Sequence, residues 1–162
     1  MIKQLRVDER LIHGQITLAW TKALEVDAIL VANDAVASNP ALLEAQCASG
    51  PADIKCAVRD LDGALNLLTD KRAESMKMLV LVRTICDAVY IAEHIHNIEE
   101  VNIGNIGKAI QAEKTALCPN VMLTCKGIDN LKKLIELYPD AYIQNIPRDV
   151  KRLAREVLNE VF

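Results

Sequence analysis

The chain has 162 residues, 51% of them apolar and 25% charged, a composition typical of a globular protein with a sizeable core. Its formal net charge of −3 lacks the basic excess of nucleic-acid-binding proteins, so no nucleic-acid partner is expected. No apolar run approaches the roughly 20 residues that cross a membrane, and no signal-peptide pattern precedes the first strand. These features predict a cytoplasmic protein.

Strand and helix patterns alternate along the chain. In chain order they predict a strand at 2–7, a helix at 15–24, a strand at 26–32, a helix at 40–48, a strand at 54–58, a helix at 61–68, a strand at 78–82, a helix at 87–96, a strand at 100–103, weaker strands at 113–117 and 121–124, a helix at 127–137, a last strand at 141–144 and a helix at 147–161.

Several local signals support these elements. Pro40 suits a first helical turn, and Asp60 suits a helix cap. The continuous apolar run at 78–82 is typical of a central parallel strand, and Val150 is expected to face the core from the final helix. The alternation predicts an α/β fold, one domain over residues 1–162, with a largely parallel open sheet flanked by helices on both faces.

One histidine stands between the end of the first predicted strand and the start of the first predicted helix. His13 is followed by Gly14 and preceded, three residues earlier, by Arg10. A helix start offers unpaired N–H groups and a positive dipole end, which suit an anion. Gly14 lets the backbone approach a bound group, and the Arg10 guanidinium can hold two phosphoryl oxygens. Positive surroundings also favour the neutral imidazole, which attacks phosphorus. The arrangement indicates a histidine that accepts and then donates a phosphoryl group.

The same residue types also have ordinary structural interpretations, which spacing alone leaves open. A loop histidine is often a solvated or capping residue, and Arg10 can instead form a surface ion pair. Arg6, within the first strand, is expected to make a structural ion pair or to contact a partner. His94 and His96 point in different directions on a helix, so both are predicted to be surface residues and no metal site is expected.

In parallel α/β sheets, ligands bind beyond the carboxyl ends of the strands. The candidate site residues at this edge are Asp8, Arg10, His13, Asn33, Asp34, Arg83, Thr84, Gly104 and Asn105. Thr84 either donates its hydroxyl to a phosphoryl group or caps the next helix.

Two stretches resemble one protein family. Residues 6–15, RVDERLIHGQ, with Trp20 and Thr21 shortly after, resemble the signature of the IIB component of the mannose/fructose/sorbose family of the bacterial sugar phosphotransferase system. Residues 101–105, VNIGN, resemble a second family stretch, in which a strand runs into a glycine-containing loop. The order of elements fits as well, and the length matches a free-standing IIB protein, so the resemblance covers essentially the whole chain.

The resemblance implies a role for each residue of the loop. His13 would carry the phosphoryl group, which this family places on the Nδ1 atom. Arg10 would neutralise phosphoryl charge, and Asp8 would orient Arg10 or shape the loop. Gly14 and Gln15 would supply backbone amides. Neither a cofactor nor a metal is implied.

The resemblance also implies partners and an activity, that of a protein-phosphohistidine–sugar phosphotransferase. The histidine takes the group from a phosphohistidine of a IIA partner and passes it to a sugar held by the membrane components IIC and IID. Docking calls for a shallow apolar surface, with Leu11, Ile12 and Trp20 as candidates, although Trp20 equally suits the core. We expect a homodimer that visits the inner face of the membrane; mannose, fructose, sorbose and amino sugars all remain open as substrates.

Three alternatives compete with this interpretation. Other IIB families use a cysteine, and Cys86 follows the fourth predicted strand, but the five cysteines are expected to be reduced and mostly buried packing residues. A nucleotide-binding or regulatory α/β domain would fit the fold, yet no glycine-rich phosphate loop follows the first strand. A hydrolase using His13 lacks an adjacent Ser or Cys nucleophile in the sequence.

Overall fold

Strands and helices alternate along residues 1–162, all of which the computed structural model describes. The strands are β1 (Ile2–Asp8), β2 (Ala28–Ala32), β3 (Lys55–Arg59), β4 (Met78–Val82), β5 (Val101–Asn105), β6 (Thr115–Cys118), β7 (Val121–Leu123), β8 (Tyr142–Ile143) and β9 (Arg152–Leu153). The helices are α1 (Thr21–Leu24), α2 (Asp34–Ala37), α3 (Pro40–Ala48), α4 (Leu61–Leu68), α5 (Ile85–His94), α6 (Cys125–Leu137) and α7 (Ala154–Val161), with a π-helical segment at Ile16–Trp20 and a 3₁₀ turn at Lys71–Ala73.

The centre of the molecule is a seven-stranded sheet in the order β3-β2-β4-β1-β5-β8-β9, with β6 and β7 forming a separate pair. Within the large sheet only the β8–β9 pair is antiparallel. The predicted α/β fold with a largely parallel sheet is therefore confirmed. Because β1 lies between β4 and β5, the loop that follows it sits at the middle of the carboxyl edge.

Helices cover both faces of this sheet, and alternate strand residues feed two separate cores. On one face, 29 buried residues join Val7 and Val82 to the buried sides of α5, α6 and α7. On the other face, 11 buried residues join Leu79 and Leu81 to Trp20. The segment that follows β1 therefore packs over β4 and β2.

Local signals placed several elements correctly. β4 occupies residues 78–82 and is buried throughout. Pro40 stands at the first turn of α3, and the side chain of Asp60 caps α4 by accepting from the Gly63 amide at 2.7 Å. None of the helices combines the length and apolar character needed to cross a membrane.

The prediction for residues 144–161 is wrong in two respects. The side-chain amide of Gln144 donates to the carbonyls of Pro147 (3.0 Å) and Asp149 (2.7 Å), which holds this stretch as a loop. The chain then forms β9 against β8, so α7 begins only at Ala154 and the strand at 141–144 is not the last. As a result, Val150 is 80% exposed rather than in the core.

The cysteines also depart from expectation, since none of the five is buried. They lie on helices and outer strands rather than in the central strands. Cys86 is exposed in the first turn of α5. The short helix α2, which follows β2 directly, has no counterpart among the predicted elements.

Candidate active site

The loop after β1 turns sharply back on itself. Leu11 adopts a left-handed conformation with φ of 59°, and its amide donates to the carbonyl oxygen of Asp8 at 3.0 Å. A left-handed leucine is uncommon, and full burial of its side chain holds it in place. Leu11 and Ile12, expected on an exposed apolar surface, are thus both buried anchors of the loop, and Trp20 belongs to the same core.

Two further contacts fix the loop from its flanks. The amide of Ile12 donates to the side-chain carbonyl of Gln46 on α3 at 2.9 Å. The carboxylate of Glu9 accepts from the amides of Gly107 (3.0 Å) and Ala109 (3.3 Å), in the connection after β5. Neither Glu9 nor Gln46 is predictable from local sequence as a loop contact, because the groups that they contact are distant in the chain.

The helix after the loop begins at Gly14 and widens into the π-helical segment. The amide of Thr17 donates to the carbonyl of His13 at 3.1 Å, so His13 stands directly before the first turn. Ile16 and Trp20 are buried, while Leu18 is 71% exposed. The helix therefore exposes one large apolar side chain to solvent, five residues after the histidine.

His13 and Asp8 form the centre of the site. Nε2 of His13 lies 3.0 Å from Oδ2 of Asp8, whose side chain is fully buried, whereas that of His13 is 14% exposed. Burial raises the pKa of Asp8, but the hydrogen bond with His13 and the charge of Arg6 outweigh it, so the pKa lies below its usual value. An ionised carboxylate only accepts hydrogen bonds, so in the neutral imidazole this contact assigns the proton to Nε2 and the lone pair to Nδ1.

A fully buried arginine lies beneath Asp8. Arg6 donates to Oδ2 of Asp8 at 3.1 Å, to the carbonyls of Gln144 (3.1 Å) and Asn145 (2.9 Å), and to the side-chain carbonyl of Asn102. Its guanidinium carbon lies 4.7 Å from the centre of the Trp20 ring. Burial lowers the pKa of Arg6 from its ordinary value, and the charge of Asp8 opposes that shift. Of the two expectations for Arg6, the structural ion pair is the one observed.

Gly104 makes room for this arginine. A Cβ atom at this position would stand 2.1 Å from the guanidinium carbon of Arg6, so only glycine allows the arginine to cross β5. Gly14 differs, because a Cβ atom there would meet nothing within 4 Å. Gly14 is therefore not required by packing and borders open space beside His13.

Arg10 sits at the rim of the site. Its side chain is 48% exposed, with Nε 3.6 Å from Oδ1 of Asp8 and Nη2 donating to the side-chain carbonyl of Gln15 at 3.2 Å. The backbone amide of Arg10 also donates to Oδ1 of Asp8 at 3.1 Å. Asp8 thus contacts both Arg10 and His13. Gln15 engages Arg10 through its side chain.

Arg83 follows β4 with its buried Nε atom unpaired, and the other remaining candidates at the carboxyl edge serve as helix caps or stay inside the sheet. The hydroxyl of Thr84 accepts from the Asp87 amide at 3.1 Å and caps α5, while Asn33 caps α2. Asp34 accepts from the first amide of α4 at 2.9 Å. Gly104 and Asn105 belong to β5 itself. The side chains with polar contacts to the His13–Asp8 pair therefore come from β1 and its loop.

The largest cleft of the molecule lies elsewhere along the same edge. It encloses ≈ 740 Å³ and is lined by Asp34, Asp60, Asp62, Ser38 and Tyr90 among others. No basic side chain lines it, which makes it unsuited to an anionic phosphoryl group. The structure contains no grouping of three or more His, Cys, Asp or Glu side chains arranged to hold a metal ion.

Comparison with known proteins identifies the family. A sequence model described as PTS system sorbose subfamily IIB component matches residues 2–161. This chain belongs to that family of phosphotransferase-system IIB components. A probable phosphotransferase enzyme IIB component from Streptococcus pyogenes is 32% identical over 163 residues, which cover 98% of this chain and 100% of the relative.

Two further matches carry the name of a sugar. The mannose-specific EIIAB component of Escherichia coli is 25% identical over 156 residues, covering 96% of this chain but 48% of the relative, so the IIB component spans about half of that protein. The IIBSor domain of the sorbose permease from Klebsiella pneumoniae shares the fold, with a TM-score of 0.92, 23% identity and coverage of 100% and 98% of the two chains. The family inferred from residues 6–15 is confirmed, which favours a phosphotransferase component over a nucleotide-binding or regulatory domain.

Proposed function

We propose that His13 is the phosphoryl carrier of this IIB component. It accepts the group from a phosphohistidine of a IIA partner and passes it to a sugar held by the membrane components IIC and IID. The observation that carries the proposal is the bond from Nε2 of His13 to the buried carboxylate of Asp8, because it leaves Nδ1 as the free nucleophile.

The first transfer needs no general acid or base. The lone pair of Nδ1 attacks phosphorus, the bond from phosphorus to the donor nitrogen breaks, and the donor imidazole keeps that electron pair. His13 then carries the phosphoryl group on Nδ1 and its original proton on Nε2. The ionised carboxylate of Asp8 faces the proton-bearing side and stabilises the positive charge of the ring.

Arg10 and the helix start act on the phosphoryl side. The guanidinium of Arg10 is half-exposed and shares only part of its donors with Asp8 and Gln15, so further donors remain for phosphoryl oxygens. Open space beside Gly14 lets an anion approach the first amides of the helix. In the second transfer, a sugar hydroxyl attacks phosphorus, its proton leaves to solvent, and the ring recovers its lone pair.

The relatives support the partners of this scheme. One relative is a mannose-specific EIIAB component, whose name joins IIA and IIB in one protein. Others are named for fructose, sorbose and N-acetylgalactosamine. We therefore propose a IIA protein and a membrane-held sugar as partners, with the IIB component working at the cytoplasmic face. The exposed Leu18 offers an apolar contact for docking. The expected homodimer is tested by light scattering of the purified chain.

Phosphoryl uptake tests the proposal. The protein is incubated with the phosphorylated general carriers and a IIA protein of this family, and added phosphate is mapped by mass spectrometry under alkaline conditions. We expect an acid-labile phosphate on the peptide with His13, none in His13→Gln, and normal uptake in His94→Gln, which alters an exposed histidine outside the site. Phosphate on Cys86, or no uptake from a competent IIA, contradicts the proposal.

A further inference from the structure

A second arginine stands next to the loop that carries His13. Val82, the last residue of β4, pairs with Val7 on β1 and with Ala32 on β2 in parallel register. Arg83 therefore leaves β4 at the same level at which Asp8 ends β1. Neighbouring strands lie about 4.8 Å apart, so the two residues start from adjacent positions at the carboxyl edge.

The alternation of side chains along β4 assigns Arg83 to the face on which the loop packs. Side chains alternate along a strand, and Leu79 and Leu81 of β4 lie in the cluster that contains Leu11 and Ile12. Arg83 lies one residue past the strand, in a bend, and one more step of this alternation directs its side chain to the same face. Thr84 instead caps α5, which packs on the opposite face.

Arg83 is charged and lacks a protein partner. Its Nε atom is buried without a hydrogen bond, and no carboxylate lies within 4.0 Å of its nitrogens. The charge of Arg83 affects Asp87 without forming an ion pair. Burial raises the pKa of Asp87, and the charge of Arg83 opposes that rise. A buried N–H donor without an acceptor is costly. The Nε atom of Arg6 is also unpaired, but both terminal nitrogens of Arg6 donate to protein groups, whereas the side chain of Arg83 makes no hydrogen bond.

We propose that Arg83 donates to the phosphoryl group on His13, so that Arg10 approaches the group from the loop and Arg83 from the sheet. This inference rests on the proposed function of His13. Two arginines neutralise the charge of a phosphoryl group better than one, and the planar fork of Arg83 presents Nε together with a terminal nitrogen to two oxygens. The acceptor that Nε lacks would be supplied by the phosphorylated state.

A direct test follows the Nε–H signal of Arg83 by ¹H–¹⁵N NMR before and after phosphorylation of the full chain. The signal is assigned by its loss in Arg83→Lys, which keeps the charge but removes Nε. Potassium phosphoramidate modifies histidine chemically and needs no IIA partner, so this arm is independent of protein-to-protein transfer. We expect the Nε–H proton signal to move downfield when His13 carries phosphate and to return after hydrolysis.

Transfer kinetics provide the second arm. Arg83→Gln should slow phosphoryl uptake from IIA by a factor of about 10 to 100, the loss of one charged hydrogen bond to the reacting group. Arg155→Gln, which changes an exposed arginine on α7, should leave the rate unchanged. Circular dichroism checks that each variant is folded, and the NMR arm still decides the question if Arg83→Gln does not fold.

The outcomes separate the two proposals. An unmoved Nε–H signal in chain that phosphoramidate has phosphorylated on His13, or a wild-type rate in folded Arg83→Gln, overturns the role of Arg83 and leaves the carrier role of His13 standing. A moved signal with no uptake from IIA supports the contact of Arg83 while removing the proposed function. Failure of both reagents to phosphorylate His13 overturns both.

Discussion

Two regions along the carboxyl edge of the sheet hold charge in opposite ways. Over β1 and β5, the charges of Asp8 and Arg6 are fully buried, and each makes several hydrogen bonds. Over β2 and β3, Asp34, Asp60 and Asp62 line a wide, open cleft. There, Asp34 and Asp60 cap the start of α4, and Asp62 accepts from the hydroxyl of Tyr90.

The comparison shows that the size of a cleft does not by itself make it suitable for a phosphoryl group. The acidic cleft is the larger space, but its carboxylates repel a phosphoryl group and serve local helix geometry. The buried centre instead holds one imidazole by a 3.0 Å contact between its Nε2 atom and an ionised carboxylate. Buried charges are costly unless they are paired, so such a centre is expected where function requires a fixed orientation.

The strongest way to break this contrast is to remove one buried charge. Arg6→Met leaves the carboxylate of Asp8 buried without the neighbouring charge of Arg6 and should lower the free energy of unfolding by about 3–5 kcal/mol. The measurement is urea denaturation followed by circular dichroism. Arg72→Met, which breaks an exposed pair with Asp70, should leave the denaturation midpoint unchanged. Equal midpoints for the two variants would show that burial of the charge is irrelevant.

A matched pair of glycine substitutions sharpens the contrast next. Gly104→Ala places a Cβ atom 2.1 Å from the Arg6 guanidinium carbon and should lower the free energy of unfolding by about 1–3 kcal/mol. Gly14→Ala adds the same methyl group where nothing lies within 4 Å, so stability should be unchanged or slightly higher. Thermal denaturation of both variants, side by side with the parent chain, measures the difference. A loss of stability in Gly14→Ala alone would contradict the conclusion that packing requires glycine at position 104 and not at position 14.

The charge on Asp8 should appear in the pH dependence of stability. The hydrogen bond with His13 and the charge of Arg6 hold the pKa of Asp8 below its usual value despite burial. Such a group stabilises the fold above the pKa of the unfolded carboxyl, about 4, and loses that contribution as the pH falls through the folded pKa. The gap in stability between the parent chain and Asp8→Asn should be constant from pH 7 to about 5 and shrink below. A gap independent of pH down to 2.5 would contradict this.

The smallest effect is expected in the acidic cleft. Asp62→Asn keeps the shape of an exposed side chain and removes only a bond to Tyr90. The rate of phosphoryl uptake from IIA should equal that of the parent chain, whereas Arg10→Gln should lower it by a factor of about 10 or more. A slower rate in Asp62→Asn than in Arg10→Gln would place the reaction in the acidic cleft and contradict its assignment to His13.

The sequence predicted the parts of this picture that depend on local signals. The run at 78–82 is apolar at every position, as expected for a strand that helices cover on both faces, and β4 occupies the same residues. Pro40 and Asp60 act locally and were placed correctly. The position of His13 between β1 and a helix also follows from local periodicity.

The parts that sequence could not predict depend on distant partners. The terminal nitrogens of Arg6 donate to Asn102 on β5 and to carbonyls beyond β8, and no local pattern marks those contacts. Leu11 and Ile12 have the residue types of a docking surface, and their burial emerges only when the loop packs over β4. The start of α7 was misplaced for the same reason, because Gln144 holds residues 147–149 as a loop through side-chain bonds.

The measurement that tests the central claim most directly is a long-range ¹H–¹⁵N correlation spectrum of His13, recorded before and after phosphorylation by IIA. We predict a proton on Nε2 in the free protein and phosphate on Nδ1 in the modified protein, with the Nε2 proton retained. Phosphate on Nε2, or a free protein with its proton on Nδ1, would contradict the role assigned to Asp8.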